Sequence, residues 1–210
     1  TECEPYLTSD HRIMLESPDE VLEGLSTILT RLSIPRGIIA IEDNKPDAIE
    51  LLTEKVSKLK NIEVVSLKTK YPQGSEKHVI WAVTGRKVPA GKLPMDVGVI
   101  VVNIDTCTAI ARAFKSGMPL VRRIVTVAGP IVKNPKNLAV RLGTPISELL
   151  KAAGGTTEEI KKLIMGGPMM GIALSTLDLP VVKGMSALLA FGEADADTGR
   201  ELPCIRCGKC

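Results

Sequence analysis

The chain is 210 residues long, 44% hydrophobic and only 2% aromatic, enough apolar material for one large domain or two modest ones with cores of Val, Ile, Leu, Ala and Met. A formal charge of +3, with no Lys/Arg-rich block and no basic stripe interleaved with aromatics, argues against nucleic acid. The longest apolar run, 97–102, is far short of a membrane span, and no signal peptide is read.

The opening "TECEPY" sets Glu2 and Glu4 around Cys3, with Pro5 fixing a turn. It reads as a loop, and Thr1 in place of Met reads as a cut end. Turn carboxylates are ordinarily just solvated. Ser17, Pro18 and Glu20 form a capping box with proline at the first helical position. Behind it, Val21, Leu22, Leu25, Ile28, Leu29 and Leu32 lie on one helical face, and Pro35 ends the run. "GIIAIE" is a short buried strand. Pro46 opens a helix through Ile49, Leu52, Val56 and Leu59, and "IEVVSL" is a second strand. A helix is expected from near Ser75 to Gly85, and a third strand at "VGVIVV", 97–102. Asp105 or Thr106 caps another helix through Ile110, Ala113 and Phe114, stopped by Gly117. Apolar strands separated by helices predict a parallel sheet covered on both faces, an α/β fold.

The pattern changes after Met118. "LVRRIVTVAG" and "AVRLGT" read as strands joined by a turn-rich loop. "PISELLKAAGG" is a short helix with Pro145 inside and Gly154 at its end, and "IKKLIMGG" and "MSALLAF" are again strand-like. Strands, one helix, then strands predict a small α+β domain of β-grasp type over 120–191. "GEADADTGRELP" is polar and turn-forming, a linker to the cysteines.

In open parallel sheets ligands bind beyond the carboxyl ends of the strands. That rule singles out Tyr71, Gly74, Ser75 and Glu76 after the second strand, and 103–106 after the expected third. Backbone N–H groups at helix starts favour phosphate or carbonyl oxygens, and Gly74 lets a backbone approach a planar ligand. Helix caps and turns use these same residue types. "GGPMMG" suits a close backbone approach and a β-turn equally well. His11 and His78 are isolated and not at metal-ligand spacing from any cysteine.

Five cysteines, three of them clustered, argue against a disulfide framework and for a reducing compartment with metal chemistry. Cys3 and Cys107 read as small, separately buried or half-buried thiols. Cys204, Cys207 and Cys210 are spaced C-x-x-C-x-x-C. Zinc sites use separated pairs, whereas consecutive two-residue gaps match the bacterial run C-x₂-C-x₂-C-x₃-C-P, so iron–sulfur is favoured over zinc. A cubane cluster takes four thiolates, which makes the motif read as cut short.

Together "ECEPYLTSDHRIMLE", "YPQGSEKHVIWAVTGRKVPAGKLPMDVGVIVVN", "KSGMPLVRRIVTVAGPI", "IMGGPMMGIAL" and "CIRCGKC" resemble the C subunit of the Rnf electron-transport complex over nearly the whole chain. More distantly, Glu2 to Pro5, the Tyr71–Gly74–Glu76 loop and the turn at 103–106 resemble the flavin-carrying subunit of respiratory complex I. The resemblance implies a Rossmann-like FMN- and NADH-binding domain over 1–119 with its N-terminal part missing. A β-grasp domain over 120–191 would follow, then at 192–210 a linker and the start of a truncated [4Fe-4S] ferredoxin-like domain. It further implies that Glu2, Cys3, Tyr71, Gly74 and Asn103 line the flavin, with Thr106 closing the Asn103 turn. Glu4 and Glu76 would face the nicotinamide, and Cys204, Cys207 and Cys210 would ligate a cluster.

Two parts of the family pattern are not found in these residues: a G-x-G-G-A-G-F-type phosphate loop and the second cluster motif. Ser75 also stands where the complex I protein has an acidic residue. The implied function is NADH oxidation by a peripheral subunit on the cytoplasmic side of an ion-translocating NADH:ferredoxin oxidoreductase, with other members of the complex as partners and ferredoxin reached indirectly. The alternatives are a soluble Rnf-C-like reductase, such as a cobalamin reductase, and a non-catalytic docking module. No Ser–His–Asp or Cys–His arrangement suggests hydrolysis, and no side chain is assigned a catalytic role, because a flavin carries its own chemistry.

Overall fold

A computed structural model describes residues 1–196 and 203–207. Its elements form a parallel two-stranded sheet followed by a mixed five-stranded one. The α/β class and the second α+β layer are as expected.

Between the opening "TECEPY" and Pro18 lies α1 (Ser9–Glu16), a helix not expected from the sequence. Its apolar residues are the consecutive Ile13, Met14 and Leu15, too short a run for a helical period to show in sequence. Helix α2 (Pro18–Arg31) follows, with proline in its first turn. The expected capping box does not form: Ser17 makes no side-chain cap bond, and Glu20 pairs instead with Arg112. Val21, Leu22 and Leu29 are buried, while Leu32, expected on the same face, is 58% exposed beyond the helix end.

Strand β1 (Gly37–Glu42), helix α3 (Pro46–Val56) and strand β2 (Ile62–Leu67) build the first core. The strands pair in parallel from Gly37 with Ile62 to Glu42 with Leu67. Ile39, Ile41, Leu52 and Ile62 pack there with Met14 and Leu29. Helix α4 (Glu76–Thr84) ends on Gly85 at φ 71°, and a 3-10 turn (Pro94–Val97) closes on Gly98 at φ 68°.

The third strand expected over 97–102 is not formed. Gly98 bends the backbone into the left-handed region, and Arg86 Nη1 donates to the carbonyls of Val97 and Gly98 at 2.8 and 3.3 Å, taking the acceptors a ladder would use. The edge of β1 offers little room. Gly37 donates to Asn61 and Asp43 to Leu67, so odd-numbered residues face β2. Ala40 therefore faces the other edge, where its carbonyl accepts from the Thr1 ammonium at 3.2 Å.

Helix α5 (Ile104–Ser116) is capped by Asn103, two positions earlier than the nearest residue expected: the Asn103 Oδ1 accepts from the Asp105 amide at 2.9 Å. Phe114 is exposed rather than core, with the Arg31 guanidinium 5.3 Å from its ring centre.

The second half comprises β3 (Arg122–Ala128), β4 (Lys136–Arg141), α6 (Ile146–Ala152), β5 (Lys162–Met165), β6 (Ile172–Leu174) and β7 (Ala187–Phe191). Sheet order is β4-β3-β7-β5-β6, with only β3 and β7 parallel. Strand β4 starts earlier than expected because Lys136 already pairs with Val127. The short edge strand β6 was not expected. All five residues of β7 are buried. Leu188 and Ala190 face the α6 core with Val125, Val127, Ile146 and Leu149. Ala187, Leu189 and Phe191 face the opposite way, where Leu7 covers them and Tyr6 meets Phe191 edge-on at 5.6 Å. The first residues of the chain thus bind the second sheet to the first.

Candidate ligand-binding site

A cavity of about 520 Å³ opens between the chain start, the loop after β2, the cap of α5 and the second sheet. Its walls come from the chain start (Glu2, Cys3, Glu4), α1 (Ser9, Asp10), the loop before α4 (Tyr71, Pro72, Gly74, Ser75), the cap of α5 (Asn103, Asp105), β3 (Arg123, Ile124) and the glycine-rich bend (Met170).

Glu2 is a helix cap supplied from outside its helix. Thr8 makes no side-chain cap bond to α1, and the Asp10 and His11 amides donate instead to Glu2 at 2.9 and 3.3 Å. Burial, reinforced by the Asp10 carboxylate, pushes Glu2 up to about 7. Burial also raises Asp10, which accepts from the Asn103 side-chain amide at 2.8 Å. Asn103 in turn caps α5 through Asp105. Asp105 is buried and lies 3.0 Å from Arg123 Nη1. A chain of polar contacts therefore runs from Glu2 through α1 and α5 to β3.

Glu4 meets the bend. Its two carboxylate oxygens accept from the Met169 and Met170 amides, each at 2.9 Å. Gly167 leaves room for it, since a Cβ there would lie 2.3 Å from the Glu4 carboxylate. The glycine of "GGPMMG" thus serves a close approach, by a side chain of this chain. Gly74 serves another: a Cβ there would lie 2.8 Å from Thr1 Oγ1 and 3.1 Å from Cys3 Sγ.

Of the residues singled out in sequence, Glu2, Cys3, Glu4, Tyr71, Gly74, Ser75, Asn103 and Asp105 border the cavity. Glu76 is exposed on the first turn of α4 and Thr106 is half-buried in α5; neither borders it. Asp10 and Arg123 were not singled out. The available signal for Arg123 was a pair of arginines opening an otherwise largely apolar strand. His11 bonds Asp47 at 2.8 Å, joining α1 to α3, and His78 is exposed. Burial pushes the Cys107 thiol up to about 11, as befits an inert core thiol.

Cys204 and Cys207 are exposed, with the Arg206 amide 3.4 Å from Cys204 Sγ; Cys210 lies outside the described residues. Among the described residues no group of three or more His, Cys, Asp or Glu is gathered for a metal. No helix among them is long and apolar enough to cross a membrane.

The cavity suits a flat heteroaromatic cofactor. Its size falls in the ~300–1,000 Å³ of small-molecule sites. Tyr71 offers a ring, and Asn103 and Arg123 offer polar groups. Thr1 Oγ1 and Arg123 Nε are buried without hydrogen-bond partners among the described residues.

The sequence profile of the Nuo51 FMN-binding domain matches residues 1–112, and that of the SLBB domain matches 124–173. Over its whole length the chain is 48% identical to the C subunit of the proton-translocating ferredoxin:NAD(+) oxidoreductase complex of Clostridium ljungdahlii, covering 46% of that protein. It is 44% identical to the Na(+)-translocating counterpart of Acetobacterium woodii, covering 47%, and 43% identical to the C subunit of the ion-translocating oxidoreductase complex of Rhodobacter capsulatus, covering 40%. The chain spans less than half the length of each. In three dimensions it is similar to a chain of an NAD+-reducing [NiFe]-hydrogenase in the air-oxidised state, with a TM-score of 0.77 and 17% identity over 92% of this chain and 39% of that one.

Proposed function

This chain belongs to the Nuo51 FMN-binding domain family, with the end-to-end likeness to Rnf-type C subunits that its motifs implied. From that premise we propose that the full-length protein holds FMN in the cavity and oxidises NADH there as part of an ion-translocating ferredoxin:NAD(+) oxidoreductase. The observation that carries this reading is convergence: residues of the chain start, the 71–75 loop and the α5 cap border one cavity.

Bound FMN supplies hydride acceptance and one-electron release. The chain's own residues bind and orient it. Tyr71 presents an aromatic face. Asn103, held on one side by Asp10 and on the other by the Asp105 amide, keeps its side-chain amide fixed at the wall. Glu2, anchored by two α1 amides, closes the far side and holds a proton near neutral pH. Leu7 and Ile124 add apolar surface to the cavity wall. Glu4 holds the methionine bend, on the side proposed for the nicotinamide, and Glu76, exposed on α4, is proposed to meet the dinucleotide from outside the cavity. Thr106 supports the Asn103 turn from within α5.

Cys204, Cys207 and Cys210 are proposed as three of the four thiolates of a [4Fe-4S] cluster. The proposed division is an FMN- and NADH-binding domain over 1–119, a β-grasp domain over 120–191, and a linker with the start of a cluster domain over 192–210. The proposed location is peripheral, on the cytoplasmic side of the membrane, against other members of the complex.

The test is flavin content of the full-length protein beside that of Tyr71→Ala. Loss of stacking should lower occupancy and leave the fold intact by circular dichroism. A wild-type protein that neither carries nor takes up FMN, or a Tyr71→Ala variant with full occupancy, sinks this reading.

A further inference from the structure

Among the described residues the cavity has a single cationic side chain, and it comes from the second sheet. Arg123 stands on β3, its side chain only 11% exposed, with Nη1 3.0 Å from Asp105 Oδ2. Its Nε is buried and has no hydrogen-bond partner among the described residues. The other charged side chains lining the cavity are all carboxylates: Glu2, Glu4, Asp10 and Asp105. Two of these are committed to protein partners, Glu4 to the amides of the bend and Asp105 to Arg123 itself. Burial raises the pKa of both Glu2, to about 7, and Asp10. A guanidinium has no such escape; it stays charged at any working pH. The cavity wall therefore contains one permanently cationic side chain among carboxylates, two of which are held by protein partners.

Such a group discriminates between the forms of a redox ligand. A ring that has accepted electrons carries more negative charge and is a better hydrogen-bond acceptor. A fixed, desolvated donor interacts more strongly with that form than with the oxidised one. The same orientation needs no reorganisation, because Asp105 is itself held by Thr108 and by the α5 cap.

Resting on the flavin reading above, we propose that Arg123 is a ligand-contacting residue contributed by the second sheet, and that it favours the electron-rich, reduced form of the cavity's planar cofactor over the oxidised form. Asp105 is its positioning partner. The second sheet is then part of the redox site.

The experiment is a redox titration of the flavin absorbance in full-length protein, comparing wild type with Arg123→Lys, Arg123→Met and the double variant Arg123→Met/Asp105→Asn. The double variant removes both charges and so leaves no orphaned buried carboxylate if the single Met variant fails to fold. Arg123→Met, or the double variant in its place, should lose at least tenfold in preference for the reduced form, a midpoint lower by ~30 mV for a two-electron couple. Arg123→Lys keeps the charge and should stay within about threefold of wild type, or ~15 mV. A folded, flavin-loaded double variant that titrates like wild type overturns the proposal. So does a Lys variant shifted as far as the Met variant, because shape and not charge would then be at work. A wild-type protein without flavin would instead overturn the reading beneath it, and this proposal with it.

Discussion

Gly24→Ala should destabilise the protein although alanine is the better helix former. Gly24 is buried in α2, where that helix crosses α5. A Cβ at this position would lie 1.9 Å from the Cys107 carbonyl oxygen, 2.6 Å from its carbon and 3.0 Å from its Cα. An unstrained nonbonded contact needs roughly 3.5 Å, so the helices must part by more than ~1 Å. No rotamer change relieves this, because backbone meets backbone. Overpacking a core costs about 1–3 kcal/mol where side chains can shift, and this contact belongs at or above the upper end. Against that stands a propensity gain of about 1 kcal/mol for Ala over Gly. The net loss is then about 2 kcal/mol, or roughly 4–8 °C in Tm for a chain of this size. Thermal denaturation followed by circular dichroism measures it. Thr30→Ala, exposed on the same helix, is the control and should gain a few tenths of a kcal/mol at about constant Tm. A Gly24→Ala variant as stable as wild type would refute the close crossing, and with it the rigid seating of Asn103 and Asp105 on α5.

Glu2 is raised from 4.5 to about 7, so the folded protein binds this proton more tightly than the unfolded chain. Its contribution is complete below pH ~4.5 and is lost as pH rises through ~7, by up to roughly 3 kcal/mol; Glu2→Gln should flatten the Tm-against-pH curve across that window. Lys45 and Glu42 form a buried pair at 3.5 Å, with Glu42 fully enclosed. Lys45→Met should cost about 3–5 kcal/mol in urea denaturation by stranding that carboxylate, and a loss below about 1 kcal/mol would argue that the buried pair is not what holds Glu42 in place. Glu4→Ala releases the Met169 and Met170 amides, whose hydrogen exchange should quicken by roughly ten- to a hundredfold for the loss of bonds worth ~1.5–3 kcal/mol. In the full-length protein Glu76→Ala should reduce kcat/KM for NADH roughly tenfold at unchanged flavin content; lost flavin with normal KM would move the residue to the cofactor.

Much of the fold is legible in the sequence because it rests on local chemistry. Strands β1 and β2 show as uninterrupted apolar runs, and Pro18, Pro46, Gly85 and Gly117 punctuate the helices through φ restrictions that need no partner. Where a distant group intervenes, local reading fails. The run at 97–102 has the composition of a strand, but Arg86 takes two of its carbonyls. Glu20 has the spacing of a capping box, but Arg112 draws it away. Helix α1 carries too few apolar residues to declare itself and is capped by Glu2 from outside.

The candidate site divides the same way. The identities of Glu2, Cys3, Tyr71, Gly74 and Asn103 stood out as motif and turn residues, so a cavity at the strand ends was within reach. Their convergence was not, since it depends on Leu7 and Tyr6 docking on β7 of the other sheet. Nor was Arg123. In sequence it is one basic residue of "LVRRIVTVAG"; only the register of β3 against α5 turns its side chain to Asp105 and the cavity. Sequence determined the elements and the residue types available for binding, because propensity and periodicity act over a few residues. The tertiary structure decided which charges are buried together, because desolvation and pairing depend on groups brought close from far apart in the chain.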